Sequence, residues 1–207
     1  MKIFDLSHEI NNEINVYPGD PEVKLEKIAT IEKDGYVMHR LELNSHLSTH
    51  IDAPGHILKN AKMIDQFPPE YFTGAAFIIK ARCTNKNLIE VNLPDNKNFD
   101  HLIINCGWYK KWGNKAYYFD YPVLSEKLAN KIAGLPIKTV AFDTPSVDSA
   151  HSQDYSIHKI FLKKNILIIE NLTSLDKLNG RHVELFAFPL KLKSVDGSPV
   201  RVIAIEK

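Results

Sequence analysis

The sequence predicts a mixed α/β fold with more strand than helix. Three observations carry this: short apolar runs too brief for helices, an alternating segment ahead of them, and two helical patterns that each precede an apolar run. Residues 23–31 alternate apolar and polar side chains, the pattern of a half-buried strand. Residues 38–43 continue it and run towards His46, and Lys33-Asp34-Gly35 between the two reads as a hairpin turn. Residues 75–81, 101–105, 139–142 and 165–170 are apolar runs of the kind found in strands covered on both faces. Residues 199–205 supply a terminal strand. The clearest helix is 125–134, where Leu124, Leu128 and Ile132 recur four apart and Gly134 is a stop. Residues 156–164 place Ile157, Ile160 and Phe161 at helical spacing. Because the helices precede the 139 and 165 runs, they imply α-to-β crossovers.

At 207 residues the chain fits one domain, 1–207, with room for a protruding hairpin. A formal charge of +1 and scattered lysines give no footprint for nucleic acid. No apolar run approaches the roughly 20 residues that cross a bilayer. The start of the chain lacks the pattern of a secretory signal, so a cytoplasmic protein is expected. Cys83 and Cys106 form no CxxC pair and read as free, buried thiols without a function. Residues 92–98 read as a surface loop.

The densest chemistry is His46-Leu47-Ser48-Thr49-His50-Ile51-Asp52-Ala53-Pro54-Gly55-His56. Imidazole and carboxylate are the ligands of zinc, manganese and iron in hydrolytic sites. In a straight strand His46 and His50 would lie roughly 13 Å apart, too far for one ion. In a helix Asp52 would point elsewhere, and Pro54 opposes a helix. The chain is therefore expected to bend within Leu47-Ser48-Thr49, after which His50 and Asp52 project the same way. Three ligands leave positions open for water and substrate, as in catalytic sites. His56 is placed to shuttle a proton, since imidazole titrates near pH 6.5, at about neutrality. Two distant groups can supplement the cluster. Glu170 ends an apolar run, where α/β proteins place site groups, but a solvated strand end fits equally. His158 lies on an amphipathic helix pattern, where an ordinary satisfied histidine also fits.

His46-x-x-x-His50-x-Asp52-x-Pro54-x-His56 resembles the HxGTHxDxPxH signature of the cyclase family, which includes the bacterial kynurenine formamidases. The likeness extends to Asp5-Leu6-Ser7-His8, Tyr17-Pro18-Gly19-Asp20, Cys106-Gly107-Trp108, Asp143 to Asp148, Glu170-Asn171-Leu172 and Asp196 to Arg201, nearly the whole chain. It implies a swivelling β/β/α fold in a homodimer or larger assembly, with His46, His50, Asp52, His158 and Glu170 as metal ligands. It also implies one or two zinc ions, with manganese in some relatives, Asp52 and Glu170 as bridges, and His56 as acid/base. Two positions depart from the pattern. Ser48 stands where the family often has glycine, which implies either an ordinary φ at the bend or an added hydrogen bond. Tyr17 stands where the formamidases carry tryptophan in the substrate pocket.

The expectation is a metal-dependent hydrolase of a small aryl amide, foremost N-formyl-L-kynurenine in tryptophan catabolism. The alternatives are a hydrolase of a cyclic amide such as isatin, or of another aryl amide or lactone. A non-catalytic metal-binding protein is the reading from a different class. His56 argues against it, and a structural zinc site would call for thiolates near the cluster.

Overall fold

The computed structural model describes residues 1–206. The first half of the chain forms β1 (Lys2–Asp5), β2 (Lys24–Ala29), α1 (Ile31–Asp34), β3 (Met38–Glu42), β4 (His50–Asp52), β5 (Thr73–Lys80), β6 (Arg82–Cys83) and β7 (Ile89–Glu90). The second half forms β8 (His101–Asn105), α2 (Glu126–Ile132), β9 (Thr139–Phe142), α3 (Ser156–Leu162), β10 (Leu167–Glu170), β11 (His182–Phe186), β12 (Gly197–Pro199) and β13 (Ile203–Glu206). The strand-rich mixed α/β class expected from the pattern is the one found.

Nine strands make one sheet in the order β1-β13-β11-β5-β8-β9-β10-β4-β12. Its centre, β5-β8-β9-β10, is parallel. Antiparallel strands flank it on both sides, with β11, β13 and β1 beyond β5 and with β4 and β12 beyond β10. The all-apolar runs become β8, β9 and β10, every residue of which is buried. Alternation along them feeds two cores. Leu102, Ile104, Val140 and Ile168 face Ile132 of α2 and Phe161 of α3. Ile103, Ala141, Leu167 and Ile169 face the other way, with Ile51 and Leu185. A buried side chain of this size contributes about 1.5–3 kcal/mol through lost apolar exposure.

The helices fall where their spacing put them. Ser125 caps α2, its hydroxyl accepting from the Leu128 N–H at 3.3 Å. The first turn of α3 has no side-chain cap on its own N-cap residue, Tyr155. The carboxylate of Asp148 serves instead, accepting from the N–H groups of Ile157 at 2.9 Å and His158 at 3.0 Å.

The alternating segments do pair, as β2 and β3, but the hairpin is not half-buried. It forms a separate two-stranded sheet outside the nine-stranded one, and all of β3 is exposed. Ile31, Val37, Met38 and Leu41 face solvent, Leu41 at 61% exposure. The expected turn at Lys33-Asp34-Gly35 is a single helical turn, α1, closed by Gly35 at φ +76°. The terminal strand is likewise divided, into β12 and β13. The cysteines are free, but neither is fully buried: Cys83 is exposed, on β6 outside the main sheet, and Cys106, just past the end of β8, is half-buried. No described helix is long and apolar enough to cross a membrane.

Candidate active site

The bend falls within Leu47-Ser48-Thr49. Ser48 adopts φ +55°, so the ordinary-φ reading of this departure from glycine is wrong: serine takes the left-handed angle that glycine adopts freely. The other reading holds, since the Ser48 hydroxyl donates to the His8 carbonyl at 3.2 Å. Thr49 pins the next residue, donating to the Asn171 carbonyl at 2.6 Å and accepting from the His8 N–H at 3.0 Å. The turned Ser48 carbonyl accepts from the Asn171 side-chain amide at 2.8 Å and lies 2.9 Å from His50 Nδ1. A donating Nδ1–H there leaves His50 Nε2 as the free lone pair facing the site.

β4 then carries His50 and Asp52 on one face. It runs antiparallel to β10, with His50 opposite Glu170, and Glu170 is the last residue of a buried parallel strand. His158 arrives from α3, its Nδ1 2.6 Å from Asp148 Oδ2, so its Nε2 also faces inward. The alternatives left open for His158 and Glu170 are thereby decided as to place: both are buried in the cluster.

Four separations define the centre. His50 Nε2 lies 3.3 Å from Asp52 Oδ1 and 3.5 Å from Glu170 Oε2. His158 Nε2 lies 3.6 Å from Asp52 Oδ2 and 3.6 Å from Glu170 Oε1. Bonds of about 2.1 Å in tetrahedral geometry set neighbouring ligand atoms about 3.4 Å apart, so each of these contacts has ligand-like spacing, with the two carboxylates lying between His50 on one pair of oxygens and His158 on the other. Asp52 Oδ2 is buried without a hydrogen-bond partner among the described residues, an arrangement that costs free energy unless something positive meets it. His50, Asp52 and Glu170 form one group of donor atoms close enough for an ion, and His46, Asp52 and His56 form another, with Asp52 common to both. The residues present fit a metal ion, and the shared carboxylate suits one ion or two.

His46 and His56 differ from the buried three. His46 is held between two carboxylates, Nδ1 2.8 Å from Asp52 Oδ1 and Nε2 2.7 Å from Asp196 Oδ2. Ligation by His46 therefore means exchanging one of these contacts for the ion. His56 points Nδ1 at Asp196 Oδ2 at 3.1 Å and lies tilted against His46, 3.9 Å from ring centre to ring centre. Asp196 sits beside the cluster because Gly197 pairs with Asp52 in the β4–β12 ladder. A Cβ on Gly197 would lie 2.8 Å from the Ile51 carbonyl oxygen and 2.9 Å from His46 Cε1, so glycine is needed for the approach.

The charges follow from burial and neighbours. Burial opposes charge on His46, but Asp52 and Asp196 outweigh it and raise its pKa to about 10. Burial likewise opposes charge on His158, and Asp148 with Asp52 outweighs it, giving about 10. Burial pushes Glu170 up, reinforced by Asp52, to about 7. Burial would raise Asp52 too, yet His50 and His46 hold it well below the carboxylate range. Hydrogen bonds from His46 and His56 hold Asp196 low. A buried cluster that draws protons onto imidazoles beside carboxylates is one that a divalent cation can enter by displacing them.

A cavity of about 400 Å³ opens onto this centre, lined by His46, His50, His56, His158 and Glu170 and walled by Tyr17, Tyr118 and Tyr155. The Tyr17 and Tyr118 rings meet edge to face at 5.7 Å, and the Tyr17 hydroxyl lies 3.4 Å from that of Tyr121. The residue suggested as a substrate contact thus shares a wall with the histidines. Reading of the sequence missed Asp196 and Asp148 as site groups. Both stood in segments already singled out, but an aspartate before glycine or within a proline-serine loop carries no mark of its partner.

The Cyclase family model matches residues 4–149, and the chain belongs to the cyclase family. A kynurenine formamidase of Bacillus cytotoxicus is 31% identical over 96% of this chain and 95% of its own length. An uncharacterised protein of Methanocaldococcus jannaschii is 33% identical over 99% and 100%. Among solved structures, isatin hydrolase A from Ralstonia solanacearum superposes with a TM-score of 0.83 at 20% identity, covering 99% of this chain and 92% of that one. A protein described as a potential metal-dependent hydrolase with cyclase activity gives 0.81 at 23% identity, covering 98% and 96%. These two likenesses concern the fold.

Proposed function

We propose that this protein is a metal-dependent amidohydrolase acting on a small aryl amide, with N-formyl-L-kynurenine as the foremost substrate and kynurenine and formate as products. The observation that carries the reading is the buried His50–Asp52–Glu170 donor group, with His158 beside both carboxylates and an unpartnered Asp52 oxygen, opening into a tyrosine-walled cavity. His50, Asp52, His158 and Glu170 hold the ion, with His46 as a further ligand. The all-nitrogen-and-oxygen donor set, without thiolate, suits zinc, and manganese as an alternative. When bound, the ion supplies Lewis-acid polarisation of the amide carbonyl and lowers the pKa of water held beside it.

The protein's own groups do the rest. Asp148 and the Ser48 carbonyl fix the His158 and His50 rings so that each presents Nε2 inward. Asp196 orients His56 through Nδ1, leaving Nε2 towards the cavity. Water adds to the carbonyl carbon as His56 takes its proton, the C–N bond breaks, and His56 hands that proton to the departing nitrogen. The tyrosine wall stacks a flat aryl ring and excludes water around the bond. The cavity volume lies in the range of small-ligand sites.

We place residues 1–207 in one catalytic domain, since β1 at one end of the chain pairs with β13 at the other. A homodimer is favoured by the exposed apolar hairpin β2–β3, a two-stranded unit that is marginal alone in water. A cytoplasmic location agrees with two unpaired cysteines.

The test is a panel of N-formyl-L-kynurenine, isatin and formanilide with zinc- and manganese-loaded protein. Preferred hydrolysis of formylkynurenine supports the reading in full. Preference for isatin moves the substrate to a cyclic amide. Failure on every amide removes the proposal. Tyr17→Trp, which restores the aromatic group usual in formamidases, is expected to alter KM more than kcat.

A further inference from the structure

Tyr117 is fully buried and carries a polar hydroxyl into the interior. That hydroxyl has one proton and two acceptors within reach, Asn171 Oδ1 at 2.8 Å and the Asp143 main-chain carbonyl at 3.2 Å. The shorter contact takes the proton, and this decides which way the Asn171 amide faces. Oδ1 points to Tyr117, so Nδ2 points the other way, to the Ser48 carbonyl at 2.8 Å. The same carbonyl lies 2.9 Å from His50 Nδ1, whereas Asn171 Nδ2 is 3.5 Å from that nitrogen. The carbonyl therefore takes the ring proton. A reversed amide would set Oδ1 against the Ser48 carbonyl, acceptor against acceptor, and loosen the bend.

Both members of this chain are held in place. Asn171 sits at φ +59°, with its N–H donating to the Thr144 carbonyl at 3.0 Å and its own carbonyl accepting from Thr49 at 2.6 Å. The Tyr117 ring meets Trp112 edge to face at 5.0 Å and Tyr118 at 5.1 Å. Trp112 in turn stacks on His8 at 3.8 Å, and the His8 backbone bonds to the Ser48 and Thr49 hydroxyls. The aromatic packing and the hydrogen bonds thus end on the same bend.

We infer that Tyr117 is a positioning residue for His50: its hydroxyl orients the Asn171 amide, the amide steadies the Ser48 carbonyl, and that carbonyl aims the His50 ring at the ion. The inference rests on the reading of His50 as a metal ligand. Phenylalanine at 117 would keep the ring packing and leave Asn171 Oδ1 without its donor.

The test is competitive zinc titration of the full-length protein against a chromophoric chelator, with Tyr117→Phe, Asn171→Gly and the double variant beside the parent. Glycine suits the left-handed backbone at 171, so Asn171→Gly removes the amide without strain. It should lose about 10–100-fold in zinc affinity, the effect of losing an orienting partner. Tyr117→Phe, one bond further out, should lose about tenfold, the low end of that range. The double variant should lose no more than Asn171→Gly alone, because the hydroxyl acts through the amide. In zinc-loaded protein labelled with ¹⁵N-histidine, the His50 Nδ1–H should exchange faster with water in Tyr117→Phe, while that of His158, held by Asp148, should not change. Parental zinc affinity in Tyr117→Phe would overturn the inference, since a purely structural tyrosine would lower stability in urea alone. Additive losses in the double variant would overturn it too. A parent protein that binds no zinc would take down the metal reading itself, and the inference with it.

Discussion

Asp148 is the residue through which the fold sets the site, and Asp148→Asn isolates that role. Its carboxylate accepts three hydrogen bonds, from the Ile157 N–H at 2.9 Å, the His158 N–H at 3.0 Å and His158 Nδ1 at 2.6 Å. Asparagine keeps one acceptor oxygen, which in the Oδ1 position still caps the Ile157 N–H, while the His158 N–H loses its acceptor at Oδ2. It brings an NH₂ to the other position, where it opposes a ring N–H. His158 then favours the tautomer with its proton on Nε2, the nitrogen that faces Asp52 and Glu170. Loss of such an orienting partner costs about 10–100-fold in metal affinity, or about 1.4–2.8 kcal/mol. Competitive titration of zinc against a chromophoric chelator measures it. The metal-free variant should lose some thermal stability with the Asp148 contacts but keep the parent's far-UV circular dichroism, which separates a lost orientation from a lost fold. Wild-type zinc affinity in Asp148→Asn would refute the reasoning.

Three further outcomes follow from the same geometry. His56→Ala should leave metal content unchanged and lower kcat by about 10²–10⁴, the range of an acid/base group; elemental analysis alongside steady-state kinetics checks both halves. Gly197→Ala forces a methyl against the Ile51 carbonyl and the His46 ring at 2.8 and 2.9 Å, with an expected loss of about 1–3 kcal/mol in denaturant unfolding. The metal-free protein should lose thermal stability from pH 5 to 9. Glu170, raised to about 7, resists the ionisation that the unfolded chain undergoes near pH 4.5. His158, raised to about 10, contributes fully below about pH 6.5, and that contribution fades as pH climbs towards 10. Scanning calorimetry across this range, with and without zinc, checks the sign, and zinc should flatten or reverse the slope.

Much of the site was legible because its chemistry is concentrated. Three histidines and an aspartate within eleven residues, with Pro54 among them, point to a bend and a metal centre before any coordinates. The buried strands were legible too, since runs such as 101–105 are apolar on both faces. The partners that came in from afar were not. Asp196 reaches His46 from 150 positions away through the β4–β12 pairing, and no local pattern encodes that register. Asp148 reads as a loop residue until α3 is seen to begin on its carboxylate. The hairpin 24–42 was misjudged for a related reason. Alternation reports that one face is apolar, not what covers it, and here the described residues leave all of β3 exposed. For Ser48 the sequence left two readings open, and only the structure decides for the added hydrogen bond, because contacts of its carbonyl, its hydroxyl and Thr49 hold the left-handed angle.

The central claim is that hydrolysis depends on an ion held by His50, Asp52, His158 and Glu170. Its most direct test is exhaustive chelation, removal of the chelator, and stepwise return of zinc or manganese while formylkynurenine hydrolysis is followed. Activity should vanish in the stripped protein and return in proportion to metal, reaching a plateau at one or two ions per chain. Full activity in protein shown by elemental analysis to be metal-free would contradict it.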